Sequence, residues 1–274
     1  AVGNTNTASV TFSGTTYNAN QQTYTAAAGN NLKLTNGATT TFTSTDDAIA
    51  FNTADILLSG GTNLVVNSAG GAISALAING TTSEDVTLNA NTGTTNTVTV
   101  GAIGTGAGKI NTVALTGSGG VRLNGSITTD ANTGNSVTVT GAATLGANVT
   151  IDTSANTGDT TGTVGFSSTV NDANAAGTDS LTIKSGGATA TITGVAGGTA
   201  ALSALTVNNT AGAGAITLGG IGAGSAGVTG ATAVGNTNTA SVTFSGTTYN
   251  ANQQTYTAAA GNNLKLTNGA TTTF

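Results

Sequence analysis

Large apolar residues in this chain recur two positions apart, in short clusters separated by Gly, Asn and Asp. Val10/Phe12, Leu32/Leu34, Ile49/Phe51, Ile56/Leu58, Leu64/Val66 and Leu76/Ile78 open the series, and Val86/Leu88, Val98/Val100, Val113/Leu115, Val121/Leu123, Val137/Val139 and Val149/Ile151 continue it. Val164/Phe166, Leu181/Ile183, Leu205/Val207 and Ile216/Leu218 complete it. A period of two places both members of a pair on one face of a β-strand, with the residue between them on the other face. The pattern therefore predicts a succession of short strands with hardly any helix. Connectors such as NTGTTN, GTGAGK, GSGG, NTGN and GDTTG carry the Gly and Asn that tight corners with positive φ require.

Two architectures give strands at such spacing: a β-solenoid (parallel β-helix), in which each coil pairs with the one beneath it, and a string of β-sandwich domains. Composition favours the solenoid. Aromatic residues make up 4% of the chain and Pro is absent. A sandwich wants a bulky aromatic core and tolerates Pro at its edges. In a solenoid nearly every strand has a neighbour on both sides, so Pro breaks a ladder bond almost anywhere. Thr is the commonest residue, and a β-branched polar side chain suits the outer face of a pleated sheet. A coil of two or three strands needs roughly 20 to 25 residues, and stacked strands lie about 4.8 Å apart. The segments 75–90, 112–127 and 204–221 each read as strand, turn, strand.

The 42 residues Ala1–Phe42 recur without a change as Ala233–Phe274, an offset of 232. Identity over this length predicts a tandem array: residues 1–232 form one unit and 233–274 begin the next, with an artificial fusion as the alternative. At roughly ten coils, a unit would rise roughly 50 Å. Stability in such a stack accumulates between nearest neighbours, so the array can be of any length if its ends are capped. Targeting signals, anchors and secretion domains are expected outside this stretch.

Composition also narrows the chemistry. His, Cys, Met, Trp and Pro are missing, and five Lys or Arg stand against ten Asp or Glu, a net charge of -5. Without imidazole or thiol there is no Ser-His-Asp triad, no thiolate nucleophile and no usual zinc, haem or iron–sulfur ligand set. Scattered basic residues on an acidic chain argue against nucleic acid or anionic lipid as a partner. No run of about 18 apolar residues occurs, so membrane insertion of this segment is not expected. Hydrophobic residues form 37% of the chain and sit in regular clusters, which disfavours disorder.

A few residues remain as candidate sites. Gly222-Ala-Gly224-Ser-Ala-Gly227 matches a dinucleotide-binding pattern, but neither a helix nor an acidic residue follows where that pattern needs them. The adjacent acids Asp46/Asp47 and Glu84/Asp85 sit in turn-like contexts, which favours solvated corners over paired glycosidase carboxylates. Thr5/Thr7, Thr23/Thr25 and Thr41/Thr43 recur at equal intervals before the run lapses, a hint of an ice-binding face. Sequons at Asn79, Asn124, Asn148 and Asn208 are no more frequent than composition gives. Lys33, Lys109 and Lys184 are candidates for side-chain isopeptide bonds. Five of the six aromatic residues of a unit, Phe12, Tyr17, Tyr24, Phe42 and Phe51, cluster at its start. The Phe residues read as core. Tyr17 and Tyr24 are left as either core or an interaction patch for another filament or a sugar. No catalytic residue, cofactor or metal is expected.

Residues 110–221, with segments such as INTVALTGSGGVRLNGSITT and SALTVNNTAGAGAITLGGIG, resemble the β-strand-rich repeats of giant bacterial surface proteins, the filamentous-haemagglutinin-like and related repeat adhesins. The resemblance implies a right-handed parallel β-helix, secretion to the cell surface and a role as fibre, stalk or adhesin. It carries over no catalytic residue, and the absence of a GGxGxD nonapeptide separates the chain from the calcium-binding class of such proteins. The expected function is a structural segment of an extracellular fibre, sheath or stalk. Its partners would be neighbouring repeats of the same chain, other copies packed laterally, or cell-surface glycans. An adhesin with a glycan- or cell-binding surface is the alternative, and an ice-binding solenoid a lesser one.

Overall fold

A computed structural model describes residues 1–105, 110–130, 134–154, 162–208 and 213–274. The described residues are all-β, with no helix and with every paired strand parallel to its neighbours. The chain winds into a β-solenoid of about ten turns, and each turn contributes one strand or bridge to each of three sheets. The β-sandwich alternative is thereby excluded.

The first sheet begins with Val10–Phe12, Asn31–Leu34, Asp55–Leu58 and Ile78–Asn79. It crosses Ile103 by isolated bridges and resumes with six strands from Ile127–Thr128 to Ala251–Tyr256. The second sheet is an unbroken stack of 11 strands from Thr16–Asn18 to Asn263–Leu266. The third has seven strands from Gln22–Thr25 to Val170–Asp172, and bridges through Ala196, Ile221 and Tyr249 carry it to the same height. Along the chain the faces follow one another in the order first, second, third, first.

Coil length varies around one value. On the second sheet Tyr17 pairs with Phe42, Val66 with Leu88, and Leu88 with Leu115, so the last of these coils is longer than the one before it. Most of the spread is absorbed in corners, and two register shifts within the ladder, between Glu84 and Val86 and between Val228 and Ala231, take up the rest.

The interior follows from the alternation. Of the sixteen apolar pairs, every residue is buried except Val10, which is half-buried, and Leu76. Rows of like position run along the axis: Leu32, Ile56 and Ile78 lie on one face, and Leu64, Val86, Val113, Val137 and Val164 on the next. Leu76 departs from the reading because the chain turns between Ala75 and Ile78. The period of two spans a corner there, and Leu76 points out at 44% exposure. At another corner Ser44 and Ser68 stack in register, and each hydroxyl accepts from a backbone N–H of the turn that follows, of Asp47 at 3.0 Å and of Gly71 at 3.1 Å. A small hydroxyl residue turned inward thus satisfies backbone groups that the ladder leaves open.

Strands with a single large apolar residue, such as Ala143–Leu145, Val170–Asp172 and Ala190–Ile192, carry little alternation and are not legible as pairs. They are held by the strands above and below.

The ladder passes through the boundary between the repeats. Val207 pairs with Val234, Leu218 with Phe244 and Ile221 with Tyr249, so all three faces continue from the first unit into the second.

Candidate functional site

The aromatic residues at the start of the unit form one contiguous group of ring contacts. Phe12 meets Tyr17, Tyr24 and Phe42 edge-on, with centroids 5.0 to 5.1 Å apart, while Tyr17 stacks on Phe42 at 5.0 Å and Tyr24 on Phe51 at 5.5 Å. Tyr24 is buried at 6% exposure and Tyr17 is half-buried against the core. The Tyr24 hydroxyl donates to Gln22 Oε1 at 2.7 Å, and the Tyr17 hydroxyl accepts from the Gly14 N–H at 3.0 Å. Burial, helped by the neighbouring Tyr17, pushes the Tyr24 phenol up to about 12.

The second copy reproduces this group. Phe244 meets Tyr249, Tyr256 and Phe274 edge-on at 4.8 to 5.1 Å, and Tyr249 stacks on Phe274 at 5.2 Å. With a coil beneath it, Tyr249 is fully buried, and its hydroxyl donates to the Leu218 carbonyl at 2.7 Å as well as accepting from the Gly246 N–H at 3.0 Å. Burial raises the Tyr249 and Tyr256 phenols as well. The rings of this cluster therefore serve packing, and Tyr249, with a coil below it, is not presented to solvent.

The acidic pairs are separated rather than joined. Glu84 is fully buried at a corner. Its carboxylate accepts from the N–H groups of Thr81 (2.8 Å), Thr82 (2.9 Å) and Gly61 (3.2 Å) and from the hydroxyls of Thr81 (3.1 Å) and Thr82 (2.8 Å). Burial pushes its pKa up, but donors from Thr82 and Thr81 outweigh this and hold it below the ordinary range. Asp85 faces the other way and accepts from Asn111 and Thr112 of the next coil at 2.7 to 3.1 Å. Asp46 is exposed and Asp47 accepts from Asn20 Nδ2 at 3.0 Å.

Sequence reasoning missed a second carboxylate of this kind. Asp172 closes the loop 172–179 by accepting from the N–H groups of Asn174, Thr178 and Asp179 at 2.8 to 2.9 Å and from the Thr178 hydroxyl at 2.9 Å. Burial acts to raise it, and the N–H donors bring it below the ordinary range. The signal is present as Asp-x-Asn before Gly-Thr-Asp, a turn composition rather than a catalytic one.

The other candidates resolve into corners and outer faces. Gly222 and Gly227 form a corner that leads into the strand Val228–Val234, not into a helix. Thr23/Thr25 lie on the third sheet and Thr41/Thr43 on the second, so their equal spacing in sequence does not build one face, whereas Thr41/Thr43, Thr138/Thr140 and Thr191 share the second sheet. Asn208 is buried with φ of 47°; its Oδ1 accepts from the Ser185 N–H at 2.8 Å and its Nδ2 donates to the Ser185 hydroxyl at 2.8 Å. Lys184 pairs with Asp152 of the preceding coil at 3.4 Å with 46% of its side chain exposed, Lys33 lies on the outer face of its strand, and Lys109 falls outside the described residues. Among the described residues no group of three or more acidic side chains comes together as a metal site. None has a helix long and apolar enough to cross a membrane.

The third sheet carries two shallow concavities. A shallow groove of about 330 Å³ is lined by Asn52, Ser74, Leu76, Thr99 and Asn124, and it adjoins another of about 300 Å³ beside Thr97, Thr144 and Arg122. Arg122 donates to Asn124 Oδ1 at 2.9 Å and to Asn174 Oδ1 at 3.4 Å, which fixes the guanidinium across the groove wall.

Comparison with known protein families, with curated proteins and with solved structures gave no match.

Proposed function

We infer that this chain is a structural segment of a long extracellular fibre, sheath or stalk, built by stacking coils of a giant tandem-repeat polypeptide at a cell surface. The observation that carries this reading is the join. A sequence that recurs without change at an offset of 232 also pairs in register with the end of the preceding unit, through Val207–Val234, Leu218–Phe244 and Ile221–Tyr249. A unit that ended in a cap, or in an unpaired linker, would have served a string of separate domains. The function assigned is mechanical. Each coil gives its backbone bonds to two neighbours, and the side chains that could have been reactive are instead Thr, Ala, Gly and Asn. The likeness to filamentous-haemagglutinin-like repeats supports the surface location and the partners, which are further copies of the same unit.

Expression of one, two and three units in series tests the reading. Each added unit lengthens the rod by a constant amount and raises resistance to unfolding, as nearest-neighbour stacking requires. Compact particles on flexible tethers would overturn it.

The grooves beside Leu76 and Arg122 support a second reading, an adhesin whose surface takes a glycan. The first of the two adjoining grooves offers the exposed Leu76 and the amides of Asn52 and Asn124, and the second the Arg122 guanidinium, which donates to Asn124. Binding of the purified chain to a glycan array, lost in Arg122→Ala, is its test.

A further inference from the structure

The identical segments occupy different faces. Phe12 belongs to the first sheet, where it pairs with Leu34, while its copy Phe244 belongs to the second, where it pairs with Leu218. Tyr17 is on the second sheet and its copy Tyr249 on the third; Tyr24 is on the third and its copy Tyr256 on the first. Every strand of the copy is advanced by one face in the same direction. A unit therefore spans nine full turns of three faces each plus one face, or 28 strand positions.

The advance leaves the aromatic contacts in place, although the strand Gln22–Thr25 lengthens to Ala251–Tyr256 in the copy. Phe12–Tyr17 and Phe244–Tyr249 lie at 5.1 and 4.9 Å with interplanar angles of 81° and 85°, and Tyr24 and Tyr256 make the same 2.7 Å bond to Gln22 and Gln254. Pairings within the segment also recur, with Val10–Leu32 matched by Val242–Leu264 and Val2–Tyr24 by Val234–Tyr256. The three-sided core thus holds the same segment in two placements one face apart, because its interior rows on all sides are aliphatic and coil lengths are similar.

We propose that a chain of these units is a rod with a three-fold screw: each unit turns its exterior by one face, about 120°, relative to the unit before it, and the exterior repeats only after three units. At about 4.8 Å per turn a unit advances roughly 45 Å, and three units, 28 turns, advance roughly 130 Å. Each surface patch is then offered in three directions in succession. The groove at Arg122, on the third sheet, and the Lys184–Asp152 pair, on the first, each move round by one face from unit to unit. A second copy of the chain approaching from any of three sides meets the same chemistry, shifted along the axis by one unit, so lateral packing needs no preferred side. This inference rests on the fibre reading for its extension along many units, whereas the one-face advance is a property of this chain alone.

Cysteine labelling tests it cleanly, because the chain has no Cys. Thr243 points outward and pairs with Thr217 on the second sheet; had units stacked like on like, the copy of Thr11 would lie on the first sheet, near Thr206. With pyrene on T217C and T243C the chain gives excimer emission, and with pyrene on T206C and T243C it gives monomer emission only. The reverse pattern, or excimer in neither pair, overturns the one-face advance. In a four-unit chain carrying Thr138→Cys with a gold label in each unit, labels step around the rod one face per unit; labels along a single side overturn the screw. A short native polypeptide would defeat the fibre reading and leave the pyrene result standing.

Discussion

Tyr249 rests on Leu218, donating its hydroxyl to that residue's carbonyl at 2.7 Å while its ring fills the interior of the coil above. It is the first large side chain of the second unit to be seated on the third face of the first, and the bond joins the two units. Removing the hydroxyl alone with Tyr249→Phe is expected to cost about 1 kcal/mol, and Tyr249→Ala about 3 to 5 kcal/mol. Tyr17→Ala, at the half-buried copy, costs less. Thermal melts of the three variants check the order.

Gly235 holds a φ of 76°, and a Cβ placed there would meet the Thr257 carbonyl oxygen at 2.1 Å. Gly3 has the same geometry against Thr25. Gly235→Ala therefore brings both backbone strain and a steric clash, and is expected to destabilise the junction coil by at least about 2 kcal/mol. Limited proteolysis should show faster cutting after residue 235, with the coils before residue 200 unaffected.

Glu84 and Asp172 both have pKa values below their ordinary ranges, because buried N–H and hydroxyl donors favour the ionised form over the opposing effect of burial. The stability they contribute is fully present above the unfolded values, near 4, and is lost as the pH falls through the folded ones. Glu84→Gln is expected to cost about 2 to 3 kcal/mol at pH 7, with the gap in melting temperature from the parent narrowing in acid. On the alkaline side the buried phenols act in the opposite sense. Tyr24, at about 12, contributes stability below pH 10 that is lost as the pH rises through its folded value. A melting-temperature profile from pH 2 to 12 measures both limbs.

The alternation is legible because each strand faces an apolar row on one side and water on the other, so thirty of the thirty-two paired apolar positions lie inside. What is not legible is what a local pattern does not contain. Leu76 lies two positions from Ile78 yet on the other side of a corner, and Val170–Asp172 has a buried strand face made of Val and a loop-closing carboxylate. The three-sheet cross-section and the one-face advance are relations between residues a coil or a unit apart, fixed by ladder register and invisible in any short window. Glu84 stands out in the sequence for its neighbour Asp85, whereas its role depends on Thr81, Thr82 and Gly61.

The absence of Pro follows from the same ladder. Thr138 lies in the strand Ser136–Thr140, paired with Ala114 on one side and Gly165 on the other. Thr138→Pro removes a ladder bond from a strand with neighbours on both sides and is expected to cost about 3 kcal/mol or more, while Thr138→Val stays within about 0.5 kcal/mol. Denaturant melts of the two variants check the contrast.

The central claim, that one ladder runs unbroken from unit to unit, is tested most directly by rod length. Electron micrographs of chains with two, three and four units should show straight rods of constant width that grow by roughly 45 Å per unit, nine and one-third turns at about 4.8 Å. Beads joined by bends at a spacing of one unit, or a growth per unit well off that value, would contradict it.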